Sequence, residues 1–122
     1  MDPRMKTPGP DHPITVRPAP GPVRVSWRGR EIARTDSALL LKEASYPEVY
    51  YIPREAVDPA VLERASRTSF CPYKGEASYF SLASGADRDE AAVWSYETPF
   101  PAMTAITGYL AFYADKASVE PA

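Results

Sequence analysis

Residues 23–33 read VRVSWRGREIA, and the period of this stretch decides the fold class. Val23, Val25 and Trp27 alternate with Arg24, Ser26 and Arg28, as a strand with one buried face requires. Arg28-Gly29-Arg30 marks a tight turn, because glycine reaches the positive φ that short connections need, and Glu31-Ile32-Ala33 runs back. The result is an antiparallel hairpin, and the flanking segments must fit a sheet.

Downstream, residues 37–43 carry three consecutive leucines, which periodicity alone leaves ambiguous; their brevity and the following Ser45-Tyr46-Pro47 favour a buried strand. Val49-Tyr50-Tyr51-Ile52 is rich in aromatic and β-branched residues and stops at Pro53, a strand signature. Residues 58–64 begin with an N-capping Asp58 and Pro59 at the first helical position, so one or two helical turns are expected. Residues 77–82 and 91–96 read as two more strands, with the polar residues 84–90 as the loop between them. Pro99 and Pro101 then break the chain, residues 102–107 read as a short helix stopped by Gly108, and residues 109–113 read as a last strand or, alternatively, as a continuation of that helix. Six to eight short strands with one or two short helices make the chain mainly β, a small antiparallel sandwich or partly open barrel.

Upstream the character changes. Seven of the fourteen prolines fall in residues 1–22, where each missing N–H and fixed φ argues against helix or central strand. Residues 1–22 therefore read as an extended arm, with 1–11 expected to be loose and 12–16 able to lie along a sheet edge. Residues 23–122 read as a single β domain.

The composition excludes several functions. With 44% apolar residues, 25% charged residues and a net charge of −2, the chain offers no broad positive field for nucleic acid or an anionic membrane. One Cys and one His give neither a disulfide nor a zinc-ligand spacing, so no metal or cofactor is expected, and a reducing cytoplasm fits best. There is no signal-peptide pattern, and the apolar-leaning run 102–114 is shorter than the roughly 20 residues of a membrane span.

Chemistry concentrates in Cys71-Pro72-Tyr73-Lys74-Gly75-Glu76. A cation beside a thiol favours thiolate, so Lys74 could activate Cys71; a free cysteine is nonetheless most often a packed small hydrophobe, and the sole base, His12, lies far away in the arm. Lys74-Gly75 could also hold an anion, although neither P-loop nor dinucleotide spacing is present. All eight tyrosines lie between 46 and 113, several beside charges, and Trp94 and Tyr96 share one strand face. Taken singly each aromatic reads as core; together they suit a lined cleft. Asp87-Arg88-Asp89 reads as a solvated loop tip rather than a metal site.

Five blocks, HPITVRPAPGPVRVSWRGREIA, VYYIPREAV, FCPYKGEASYFSL, AVWSYETPFP and ITGYLAFYADK, resemble the family catalogued as domain of unknown function 427 over residues 12–116. The resemblance implies a mostly antiparallel β domain similar to the β-tent architecture, in which sheets lean together over a cleft. Some relatives bear a nucleotidyltransferase label, but the Gly-Ser turn and strand-borne carboxylates that such enzymes use are missing here. The family pattern falls on Tyr51, Arg54, Cys71, Tyr73, Lys74, Glu76, Trp94 and Tyr96, with His12 in the arm block.

The leading expectation is a small anionic or aromatic ligand bound between the loops around Arg54 and Cys71 to Glu76, above a floor of Trp94 and Tyr96. Arg54 and Lys74 would hold an anionic group, Tyr51 and Tyr73 would stack or hydrogen-bond, and Glu76 would be the acid or base of any reaction. In a close variant Cys71 is a catalytic thiol partnered by His12. The competing expectation is an interaction module whose edge strand pairs with a partner or with a second copy as a homodimer.

Overall fold

The hairpin read from residues 23–33 is present in the computed structural model, which describes residues 2–122. Arg28 and Gly29 both adopt positive φ (50° and 78°), the pair of left-handed positions that lets a two-residue connection follow the twist of its strands. Ten strands follow the chain among the described residues: β1 (Ile14–Pro18), β2 (Val23–Trp27), β3 (Arg30–Thr35), β4 (Leu39–Glu43), β5 (Val49–Tyr51), β6 (Leu62–Cys71), β7 (Gly75–Ser84), β8 (Asp87–Ser95), β9 (Leu110–Phe112) and β10 (Ser118–Pro121). They form three antiparallel sheets, β1-β4-β5, β10-β2-β3 and β6-β7-β8-β9. The chain is thus mainly β as expected, but no sheet closes, so the barrel alternative does not occur. The helical segments are short 3-10 turns, Arg54–Ala56, Pro59–Val61 and Pro101–Ile106.

The four-stranded sheet has a core on each face, because neighbouring residues of a strand point to opposite sides. Phe80 and Val93 pack with Val23, Val25 and Trp27 of β2 and with Ile32 of β3. Tyr79 pairs with Trp94 across β7 and β8 and faces the other way, toward Leu41 of β4 and Tyr51 of β5. Each large side chain fully buried in these layers contributes about 1.5–3 kcal/mol. A bridge between Ile52 and Leu110 ties β5 to the β9 edge, with N–H to O distances of 2.8 Å in both directions. This tie leans the β1-β4-β5 sheet against the four-stranded one and leaves a cleft between them.

The strands depart from the sequence reading in three places. Residues 62–64 were expected to belong to a helical turn, and they instead begin β6, ten residues of edge strand for which no element had been read. Its Glu63, Arg64 and Arg67 are exposed along an unpaired edge, which removes the alternation that would mark a strand and protects the edge from further pairing. Asp58 does cap a turn, accepting from the Ala60 N–H at 2.9 Å, but the turn ends at Val61. Residues 87–90, read as loop, begin β8; a register shift follows in which Ala91 takes φ 49° and donates its N–H to the Ser81 hydroxyl at 3.0 Å. β10 was not anticipated; it pairs with β2.

In the arm, β1 pairs with β4 and places Ile14 opposite Glu43, the edge position expected of residues 12–16. Of residues 1–11, expected to be loose, Met1 lies outside the described residues, and two others contact the β6–β7 hairpin: the Lys6 N–H donates to the Pro72 carbonyl at 2.8 Å, and the Arg4 guanidinium sits 3.8 Å above the Phe70 ring.

Candidate functional site

The cleft between the leaning sheets contains a chamber of about 270 Å³. Tyr79, Trp94 and Tyr96 come from the four-stranded sheet, and Leu41, Glu43, Val49 and Tyr51 from β4 and β5. Tyr113, the Tyr46-Pro47 turn and Lys74 complete the lining. An apolar cavity of about 150 Å³ accepts benzene, so this chamber has room for a substituted ring. Tyr96 is held where β8 ends, its carbonyl accepting from the Gly108 N–H at 3.0 Å. The Lys42 ammonium hydrogen-bonds to the Tyr46 carbonyl and fixes the turn that forms the lip.

The polar end of the chamber is built by the turn between β6 and β7. Gly75 has φ 108°, a conformation that side chains other than glycine's rarely tolerate, and the reversal it allows folds Lys74 inward. The Phe100 N–H fixes that turn by donating to the Lys74 carbonyl at 2.9 Å. The Lys74 side chain is 8% exposed, and its ammonium hydrogen-bonds to Glu43 Oε1 and lies 3.8 Å from Cys71 Sγ. Glu43 Oε2 pairs with His12 Nε2 at 2.7 Å, and the His12 ring stacks on Tyr73 with centroids 4.1 Å apart and planes 5° from parallel. Burial works to raise the Glu43 pKa; hydrogen bonds from Lys74 and His12 outweigh it and hold the carboxyl below its ordinary value. The carboxylate therefore stays charged beside the ammonium, and the two charges balance inside the cleft.

Hydroxyls surround this pair. Burial pushes the Tyr51 and Tyr96 phenols well above the ordinary tyrosine range, so both are protonated donors at neutral pH. Trp94 Nε1 donates to the Tyr51 hydroxyl at 3.4 Å. The Tyr79 hydroxyl lies 2.9 Å from Ser69 Oγ and 3.3 Å from the Tyr113 hydroxyl. Burial, and then the bond to Tyr79, also raises the Tyr113 phenol. An ammonium has three N–H donors. Glu43 and Cys71 account for two of those on Lys74, so among the described residues the third has no protein partner, and Lys74 lines the chamber.

Of the residues picked from sequence, Tyr51, Lys74, Trp94 and Tyr96 line this chamber. Arg54 does not. It follows Pro53 into an exposed 3-10 turn, lies 4.7 Å above the Phe80 ring and reaches Glu97 at 3.4 Å. Phe80 occupies the opposite face of the sheet from Tyr79, so closeness to Tyr51 in sequence was a poor guide to where Arg54 goes. Glu76 is exposed at the start of β7 and is not part of the lining. Tyr73 and His12 stand behind Glu43 as a stacked pair, one step removed from the chamber. Cys71 is half-buried against the same core; its polar neighbour is Lys74, and the Nε2 of His12 is given to Glu43 rather than to sulfur.

The sequence reading missed Glu43, Tyr46, Tyr79 and Tyr113. Glu43 carried a readable signal: on β4 it follows Leu39 and Leu41 at every second position, so a carboxylate had to share their inward face. Asp87 and Asp89, weighed as metal ligands, face Arg28, and Asp89 also accepts from Trp27 Nε1 at 2.8 Å. Among the described residues no group of three or more His, Cys, Asp or Glu could hold a metal ion, and no helix is long and apolar enough to cross a membrane.

A family model described as Domain of unknown function (DUF427) matches residues 15–121. No curated protein matches the chain.

Proposed function

Because the chain belongs to the DUF427 family, whose description names no activity, we propose a function from the chamber itself: it binds a small molecule built on an uncharged planar ring with a hydrogen-bond acceptor. The observation that carries this reading is the Lys74 ammonium, with two hydrogen-bond partners among the described residues, at the wall of a chamber that the rings of Tyr51, Tyr79, Trp94, Tyr96 and Tyr113 also line. Rings stack or meet edge to face on such walls, and the buried phenols add donors for carbonyl or ring-nitrogen acceptors. An anion gains less here than two free cations would give it. Arg54 stands on the other face, and Glu43 already neutralises Lys74.

A second reading has an observation of its own. His12, with its side chain 26% exposed, bonds to Glu43, which bonds to Lys74, so a continuous hydrogen-bonded path joins solvent to the chamber. Such a path would replace a proton that Lys74 donates to a bound acceptor, and an acid-assisted reaction on the ligand would use it.

The test is thermal stability with benzamide, benzoate and toluene, repeated on the double variant Lys74→Met/Glu43→Leu. Benzamide should raise Tm most, then benzoate, then toluene, and the double variant should lose the preference for the acceptor. Equal or absent shifts for all three compounds refute the reading and favour an interaction module, in which these residues serve only as structure.

A further inference from the structure

A second cavity of about 560 Å³ opens beside the chamber. Tyr46, Pro47, Val49, Trp94 and Tyr113 line both, so the two are halves of one cleft with a shared wall. Trp94 and Tyr113 belong to this wall; their ring centroids are 4.7 Å apart and their planes are tilted by 49°. The halves differ in chemistry. The chamber holds the Lys74–Glu43 pair and the phenols, whereas Phe112, Ala114, Ala117 and Val119 make the trough largely apolar, with Glu48 and Ser118 as its polar members.

Building on the chamber reading, we infer that the natural ligand is an amphiphile: its acceptor-bearing ring sits in the chamber and a hydrocarbon or aryl extension runs through the shared wall into the trough. Apolar surface left in water is costly, and covering it is the main source of affinity that a trough of this composition can supply. The shared wall supports a joined ligand over two separate ones, since its aromatic rings can contact both parts at once. The surroundings disfavour a protein partner. Among the described residues Tyr46, 61% exposed, is the one large apolar side chain standing out on the surface, so the apolar area is concave and lacks the wider patch that a docked chain would cover.

Titration calorimetry with benzamide and its N-methyl, N-butyl and N-hexyl derivatives tests the inference. Each methylene that enters the trough should tighten binding about fourfold, until the trough is filled. Ala114→Trp, at an exposed position in the turn before β10, should cut the gain per methylene, and Ser118→Trp, at the start of β10, should do the same. Far-ultraviolet circular dichroism and Tm identify a variant that fails to fold, in which case the other decides. If benzamide binds and chain length adds nothing, the trough assignment is overturned and the chamber reading stands. If no member of the series binds, both are overturned. A concentration-dependent dimer that either tryptophan disrupts, together with no gain from the chain, would make the trough an interface between copies and also overturn the inference.

Discussion

Lys74→Met removes the ammonium while keeping most of the side-chain stem, and it leaves Glu43 in place. The Glu43 side chain is 17% exposed and would retain only His12 as a partner. Breaking a buried pair from one side costs about 3–5 kcal/mol, because the abandoned charge remains desolvated. The surviving bond to His12 and the partial exposure place this site at the lower end, about 3 kcal/mol, or about two orders of magnitude in the folding equilibrium. Lys74→Met/Glu43→Leu removes both charges and should recover most of that loss. Urea denaturation at pH 7 measures both, with equal m values showing that the unfolded state is unchanged. The pH dependence supplies an independent check. The folded-state pKa of Glu43 lies below its ordinary 4.5, so the stability it contributes is fully present above 4.5 and is lost as pH falls through the folded value. The gap between the wild type and Lys74→Met should therefore close on acidification. A cost under about 1 kcal/mol, typical of exposed pairs, or a double variant no more stable than Lys74→Met, would refute the reasoning.

Three further outcomes follow from the geometry. Bonds from Arg64 lower the Glu97 pKa to about 2 against the effect of burial, so its contribution is present above pH 4.5 and fades as pH falls toward 2; Glu97→Gln should flatten the acid limb of stability measured by urea titration over that range. Gly75→Ala forces a Cβ into φ 108° and within 3.5 Å of the Phe100 nitrogen, so it should cost about 1–3 kcal/mol and lower Tm by at least about 4 °C in calorimetry. Ser95→Ala removes the one buried side-chain oxygen without a partner among the described residues; its Tm should be unchanged or higher, where most buried truncations lower it.

The parts of the fold that could be read from sequence were those where burial on one face imposes a period of two, or where β-branched, aromatic and leucine residues cluster between turn residues. β2 carries the first signal, β4, β5, β7 and the second half of β8 were read from the second, and Trp94 and Tyr96 followed from alternation along β8. β6 lacked the signal, since an edge strand with Glu63, Arg64 and Arg67 in solvent does not alternate. β10 is a short closing strand with three of its four residues exposed, so it too carries no pattern. The site was legible where chemistry and turn coincide, at Lys74-Gly75. Arg54 failed because charge type says nothing about which face of a sheet a loop reaches. Glu43 failed for the opposite reason: three leucines drew attention away from the register that placed the carboxylate beside them. The Lys74–Glu43 contact joins positions 31 apart along the chain, and only the docking of two sheets brings them together.

The division of β7 and β8 into two faces has an evolutionary side. Tyr79, Trp94 and Tyr96 address the cleft, while their neighbours Phe80 and Val93 hold the opposite layer together. Tools and chassis are thus interleaved on the same two strands without sharing a residue. A lineage could retool this domain for a new compound by re-lettering alternate positions, and the frame that carries them would go on folding as before.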